Sequence, residues 1–269
     1  MGISRRGLLR GTLLAAGGAL AGAGTVAAAE RLPRWFGPDR QPIGGGYAPG
    51  SDRNIWADDG QQTVTWHVTT DQPLVALTFD DGPGPNYTPK VLDALDAHEC
   101  PATFFMVGER VQQYHQLIDG RLDRHEVGNH TWNHVDLAEQ DFDGVTSQLR
   151  RTHAAIVKYT GKTPRLMRPP WGHLGGSTLL AANAMNYNVA LWSHQMREKF
   201  YQKDPAGNVR YIVEGVRPGA VILAHDYGDP LRLVTIDHLG EMIEGIRARG
   251  LKLVTLSELL AVGDQPIRH

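Results

Sequence analysis

The sequence predicts one α/β domain whose parallel sheet is closed, or nearly closed, into a barrel. Three observations point there. Short apolar, β-branched runs alternate with amphipathic stretches about seven times along the chain, the mark of strands joined by crossover helices. Several of these runs end directly in clusters of polar, reactive side chains, as strands do at the face where such sheets bind ligands. No internal repeat or linker divides the stretch, and a chain of 269 residues, 41% hydrophobic and 21% charged, has the balance of a soluble globular domain.

The chain opens outside that domain. Residues 1–29 begin with Arg5, Arg6 and Arg10, continue through a short Gly/Ala-rich apolar run and end in Ala27-Ala28-Ala29. This is the layout of a secretory signal with cleavage before Glu30. The order Ser4-Arg5-Arg6-Gly7-Leu8-Leu9 matches a twin-arginine leader, with a plain secretory signal as the alternative. Contact with a membrane is therefore expected only during export, to a secreted or wall-associated location. Residues 30–72, rich in Pro, Gly, Asp and Arg, form a surface-hugging lead-in that carries a short edge strand at Thr63–Val68. The domain proper is set at residues 73–264.

Within it, Val75–Phe79 reads as a buried strand, Pro89–His98 as a helix, and Ala102–Val107 as the next strand. A helix over Gly108–Arg121 precedes a strand at Glu126–Gly128. Asp143–Tyr159 is an amphipathic helix with Val145, Leu149 and Ile156 on one face. Strands at Arg165–Arg168, Val189–Trp192 and Ala220–Ala224 alternate with helices at Ser177–Asn186 and Asn208–Val216. Ile236, Leu239, Ile243 and Ile246 share one face of a helix over Thr235–Arg249, stopped by Gly250. Lys252–Leu256 is the last strand, and Ser257 caps a final short helix.

Composition excludes some functions. A net charge of −2 offers no basic face for nucleic acid. One cysteine, Cys100, excludes an internal disulfide and a cysteine-only metal site. Twelve histidines leave room for a His/Asp site.

Four clusters stand at strand exits. Asp80-Asp81 follow Val75–Phe79. Side chains alternate there, so one carboxylate can bind a metal while its neighbour handles a proton, although an ordinary Asp-Gly turn also explains the pair. His130 and His134 stand at i and i+4, which on a helical turn would aim two imidazoles at one ion. With one carboxylate they make a three-ligand set that leaves positions open for water. Two surface histidines are the plain alternative. Arg168-Pro169-Pro170-Trp171-Gly172 is a stiff loop able to aim a backbone N–H at a developing oxyanion. Val221–Ala224 delivers His225 from a buried strand. The nearby His173 and His194 read as solvent-facing.

Taken in order, T-F-D-D-G-P, H-T-x-x-H, R-P-P-W-G and L-x-H resemble the polysaccharide deacetylase family, the NodB-homology or carbohydrate esterase 4 group, over Leu74 to Val262. The resemblance implies a distorted (β/α)7-type barrel and a metal-dependent hydrolase that removes N-acetyl groups from a GlcNAc-containing polysaccharide: peptidoglycan, chitin-type or poly-GlcNAc. It implies Asp80 as base, with Asp81, His130 and His134 as ligands of a divalent metal, usually Zn2+, with Co2+, Ni2+ or Mn2+ as alternatives. Arg168 would orient the base, the Trp171 N–H would bind the oxyanion and His225 would be the general acid. Pro170, Trp171 and Leu223 would line the substrate site, with Leu223 at the acetyl group. A polysaccharide is the expected partner and a monomer the expected state. In one segment the chain departs from the family. Trp192–Lys199 reads W-S-H-Q-M-R-E-K, with Gln195, Glu198 and Lys199 where the family has two acids and an aromatic. Glu198 is a candidate support for the charged groups, and the missing aromatic implies a changed or wetter groove wall. An O-acetyl esterase on xylan-like polymers and a catalytically weak glycan-binding protein are the other readings.

Overall fold

The computed structural model describes residues 61–263, so the expected export signal and residues 30–60 of the lead-in lie outside the described residues. The strands are β1 (Val64–Thr65), β2 (Leu74–Asp80), β3 (Thr103–Met106), β4 (Glu126–Asn129), β5 (Leu166–Met167), β6 (Asn188–Ala190), β7 (His194–Gln195), β8 (Val221–His225) and β9 (Lys252–Val254). They pair in parallel in the order β1-β6-β5-β4-β3-β2-β8-β7, with β9 beside the start of β2. This is the expected α/β barrel, curled and incomplete. β6 and β7 lie toward opposite ends of that order yet are three residues apart in the chain, so one segment spans the gap. The residues after β1 help at the base, where His67 bridges Ala220 and the Val68 N–H donates to Gly219 O.

The helices are α1 (Thr88–Ala97), α2 (Gly108–Tyr114), α3 (Phe142–Thr160), α4 (Gly176–Ala184), α5 (Pro205–Gly215), α6 (Leu231–Asp237), α7 (Leu239–Ala248) and α8 (Leu256–Gly263). The core has two layers, divided by strand alternation. On β2, Val75, Leu77 and Phe79 pack outward against Val91, Leu92 and Leu95 of α1. Ala76 faces inward with Phe105, Met167, Val189 and Leu223. Each fully buried side chain of this size stabilises the fold by about 1.5–3 kcal/mol. The same parity sends Thr78 and Asp80 inward. On β8 it sends Leu223 and His225 inward.

Three expectations for local structure are corrected. The helix from Gly108 ends at Tyr114 and tightens into a 3-10 turn at His115–Leu117, where His115 stacks on Tyr159 and Ile118 enters the core. The long helix expected over Thr235–Arg249 is two, α6 and α7. His238, at φ −108° and ψ 12°, bends the chain so that Ile236 and Leu239 both point inward. Ser257 lies inside α8 and bonds Glu126. The cap is Thr255, whose N–H and hydroxyl both donate to Glu258.

Candidate active site

Register brings the clusters together. Asp80, the last residue of β2, pairs with Phe105 on one side and His225 on the other. Asn129 pairs with Met167, so the residues that follow, His130 and Arg168, leave adjacent strands side by side. The Arg168 N–H donates to Asn129 O, and the His130 N–H to Met106 O.

The two histidines do not sit on a helical turn. Thr131 (φ 69°) and His134 (φ 58°) are both left-handed, and the turn is held by hydrogen bonds. Asn129 Oδ1 accepts the Thr131 N–H, and Thr131 Oγ1 accepts the His134 N–H. Asn129 is itself fixed by donating to Leu149 O and the Tyr187 hydroxyl. The rings still converge, with centroids 5.1 Å apart. Asp81 (φ 80°) and Trp171 (φ 56°) are left-handed too. Of six non-glycine residues with positive φ among the described residues, four are therefore at this site. Such a residue costs about 1–3 kcal/mol, and the strain collects where side chains must be aimed.

Asp81 Oδ1 lies 3.0 Å from His134 Nε2 and 3.5 Å from His130 Nε2. The ligating atoms of these three residues all fall within 4.8 Å of one another. His130 Nδ1 is 2.7 Å from Arg168 O, and a carbonyl only accepts, so Nδ1 carries the proton and the Nε2 lone pair is available to a cation held between it and Asp81. Asp81 Oδ1 is buried with no hydrogen-bond partner. An acceptor-only oxygen facing two imidazole nitrogens is a donor set for a divalent cation, and these residues fit one. Burial pushes the Asp81 carboxyl upward, but the neighbouring His130 and His134 imidazoles outweigh it and hold it well below the usual carboxylate range. Burial opposes charge on His130, yet Asp80 and Asp81 raise its pKa overall.

Asp80 stands beside this set, with Oδ2 3.8 Å from His130 Nε2. Its Oδ1 accepts from Arg168 Nη1 at 2.7 Å. Arg168 is fully buried, and four of its five N–H groups are engaged: Nη1 also donates to Thr78 Oγ1, Nε to Ala190 O and Nη2 to Leu191 O. The loop sequence explains two of these bonds. β5 and β6 pair Met167 with Val189, so the next rung would run from the N–H of residue 169 to Ala190 O. Pro169 has no N–H, and Arg168 takes that carbonyl. β1 ends at Thr65, which leaves Leu191 O free for the same guanidinium. Burial lowers the Arg168 pKa, and Asp80 opposes that shift.

Pro170 is buried, whereas the Trp171 side chain is 53% exposed with its ring 4.5 Å from His134. Leu223 is buried on the inner face of β8, two residues before His225. His225 Nδ1 is buried without a hydrogen-bond partner, and Glu198 Oε1 lies 4.0 Å from it. Glu198 thus faces the histidine and is not among the Arg168 partners. Gln195 accepts from the Trp192 indole N–H. His173 is not simply solvent-facing, since its Nδ1 is 2.6 Å from Asp136 Oδ2.

Three contributors were missed in the sequence. Thr78 was discoverable, because it shares the inward parity of Asp80. Asp226, next to His225, is fully enclosed. Its carboxylate accepts from the Gly82 N–H and the Thr88 hydroxyl, and burial pushes it up to about 7. It ties the β8 exit to the β2 exit. Arg232 Nη1 donates to Asp81 Oδ2 at 2.6 Å, and no local pattern marks it.

The chain is similar to several known proteins. The family model for polysaccharide deacetylases matches residues 67–190. A peptidoglycan-N-acetylglucosamine deacetylase of Bacillus cereus is 35% identical over 199 residues, 73% of this chain and 92% of that protein. A chitooligosaccharide deacetylase of Rhizobium leguminosarum is 36% identical over 214 residues, 74% of this chain and 91% of that protein. The solved structure of the peptidoglycan deacetylase PdaC from Bacillus subtilis superposes with a TM-score of 0.63 at 33% identity, covering 72% of this chain and 93% of that one.

Proposed function

Because the chain belongs to the polysaccharide deacetylase family, we propose that it is an exported, metal-dependent deacetylase that hydrolyses N-acetyl groups of a GlcNAc-containing polysaccharide. One observation carries the metal dependence: Asp81 Oδ1, His130 Nε2 and His134 Nε2 converge with an Arg168-bound Asp80 alongside. A divalent ion held there, Zn2+ being the first choice, would acidify water and polarise the acetyl carbonyl.

The protein side chains would do the rest. An amide is a poor electrophile, and an amine leaves poorly without a proton. Asp80, held by the hydrogen bond from the Arg168 guanidinium, takes the proton of the attacking water. The Trp171 N–H binds the tetrahedral oxyanion. His225, with Glu198 beside it, protonates the departing nitrogen. Leu223 contacts the acetyl methyl, and Pro170 with the exposed Trp171 ring forms part of the groove. Residues 1–29 serve as the export signal and 73–264 as the catalytic domain. The chain works as a monomer.

The test is a panel of acetate-release assays. Purified protein is stripped of metal, reloaded separately with Zn2+, Co2+, Ni2+ or Mn2+, and offered GlcNAc oligomers, peptidoglycan and acetylated xylan. Acetate from a GlcNAc substrate only after reloading is the expected result. Acetate from xylan alone would make it an O-acetyl esterase instead. Glycan binding with no acetate from any substrate would make it a binding protein.

A further inference from the structure

Asp81 presents its two oxygens differently. Oδ1 faces the imidazoles and has no hydrogen-bond partner, whereas Oδ2 accepts from Arg232 at 2.6 Å. A carboxylate can ligate a cation through one oxygen or both. Here the second oxygen is already engaged by a charge-assisted bond of the strong class.

The surroundings are built to seat that guanidinium. Arg232 Nη1 also donates to Tyr227 O. Gly228 (φ 112°) lies directly against it, and a Cβ there would come within 2.6 Å of Nη1. The Gly228 carbonyl is pinned by the Tyr87 hydroxyl. Arg110 completes the arrangement by stacking on the Tyr227 ring at 3.9 Å and donating to Asp81 O at 2.5 Å. The outer oxygen of Asp81 is thus held from the β8–α6 side of the site and its main-chain carbonyl from α2.

We propose that Arg232 is a positioning residue that keeps Oδ2 of Asp81 out of the cation site, so that Oδ1 alone ligates a divalent ion. The inference rests on the metal reading given above. Two effects oppose each other. The guanidinium charge repels a cation, which weakens binding, and the fixed carboxylate is pre-organised, which strengthens it. Arg232 is paired with Asp81 and partly open to water, which screens its charge, so orientation dominates.

The test uses Co2+ as the probe on the full chain. Its Kd is measured by competition with a chelator, and its visible absorption reports coordination number. Arg232→Gln is expected to weaken Co2+ binding about tenfold or more, the lower end for lost outer-shell partners. It should also change the absorption, as Asp81 becomes free to chelate through both oxygens. Arg232→Lys should restore part of the affinity. Gly228→Ala keeps the charge but displaces the guanidinium, so it should resemble Arg232→Gln. Thermal melting of the metal-free variants checks that each is folded. If Arg232→Gln binds Co2+ as tightly as the wild type or more tightly, with the same spectrum, the positioning role is wrong while the metal site stands. If the wild type binds none of Co2+, Zn2+, Ni2+ or Mn2+, the metal reading itself fails.

Discussion

Strand β4 carries a buried histidine at each end, and the two are opposites. His125 enters the strand at the base of the barrel and His130 leaves it at the top, 2% and 1% exposed. His130 meets two carboxylates, which raise its pKa against the effect of burial. His125 meets the edge of Phe104 instead. Its Nδ1 accepts the Ala102 N–H, so Nε2 carries the proton and is buried with no partner. Burial drives it down to about 4. Asp96 opposes that shift, while Arg124, Lys162 and Arg121 reinforce it. The same side chain at the same depth is therefore a structural spacer at one end and a charged-cluster member at the other. What differs is the company each keeps at its strand end.

Four measurements would break or sharpen that contrast. The largest effect is expected from His130→Ala, which should abolish both Co2+ binding and acetate release, while His125→Phe leaves both intact. Next, Asp80→Asn should keep the metal and lose turnover by about a thousandfold, the middle of the range for a general base. Full activity in that variant would remove Asp80 from the role of base. Third, the stability of the metal-free protein should depend on pH through His125. With the folded pKa near 4 and an unfolded value near 6.5, the neutral ring is favoured in the fold. Its contribution is complete above pH 6.5 and is lost as pH falls toward 4, on the order of 3 kcal/mol in all. Urea midpoints across that window should show this slope in the wild type and a reduced one in His125→Phe. The smallest effect belongs to Glu198→Gln. A pair 4.0 Å apart and partly open to solvent is worth about 1 kcal/mol, so turnover should drop roughly fivefold.

The top of the barrel was far more legible in the sequence than its base. Asp80, Asp81, Arg168 and His225 each follow a short apolar run, and His130 and His134 follow a short strand, so strand alternation and the βα order place them on one face. The long-range partners were illegible. Arg232 reaches Asp81 across 151 residues, and only the return of the chain through β8 brings them together. His125 stood unremarked because a histidine before a strand carries no pattern. The expected helical turn at His130–His134 gave the right convergence by the wrong backbone. Spacing limits how far apart two rings can lie, but not the φ angles of the residues between them.

The way Arg168 is anchored has a consequence for how this protein can vary. Apart from Thr78 and Asp80, its hydrogen bonds end on peptide oxygens, at Ala190 and Leu191, and those exist whatever residues occupy the positions. The unusual W-S-H-Q-M-R-E-K run begins one residue later. Apart from Trp192, whose ring lies 5.8 Å from the Arg168 guanidinium, side chains of that run can be exchanged without removing a hydrogen bond from the arginine that holds Asp80. Within that run Glu198 is the further exception, since it faces His225 and any exchange there also reaches the residue proposed to protonate the leaving group.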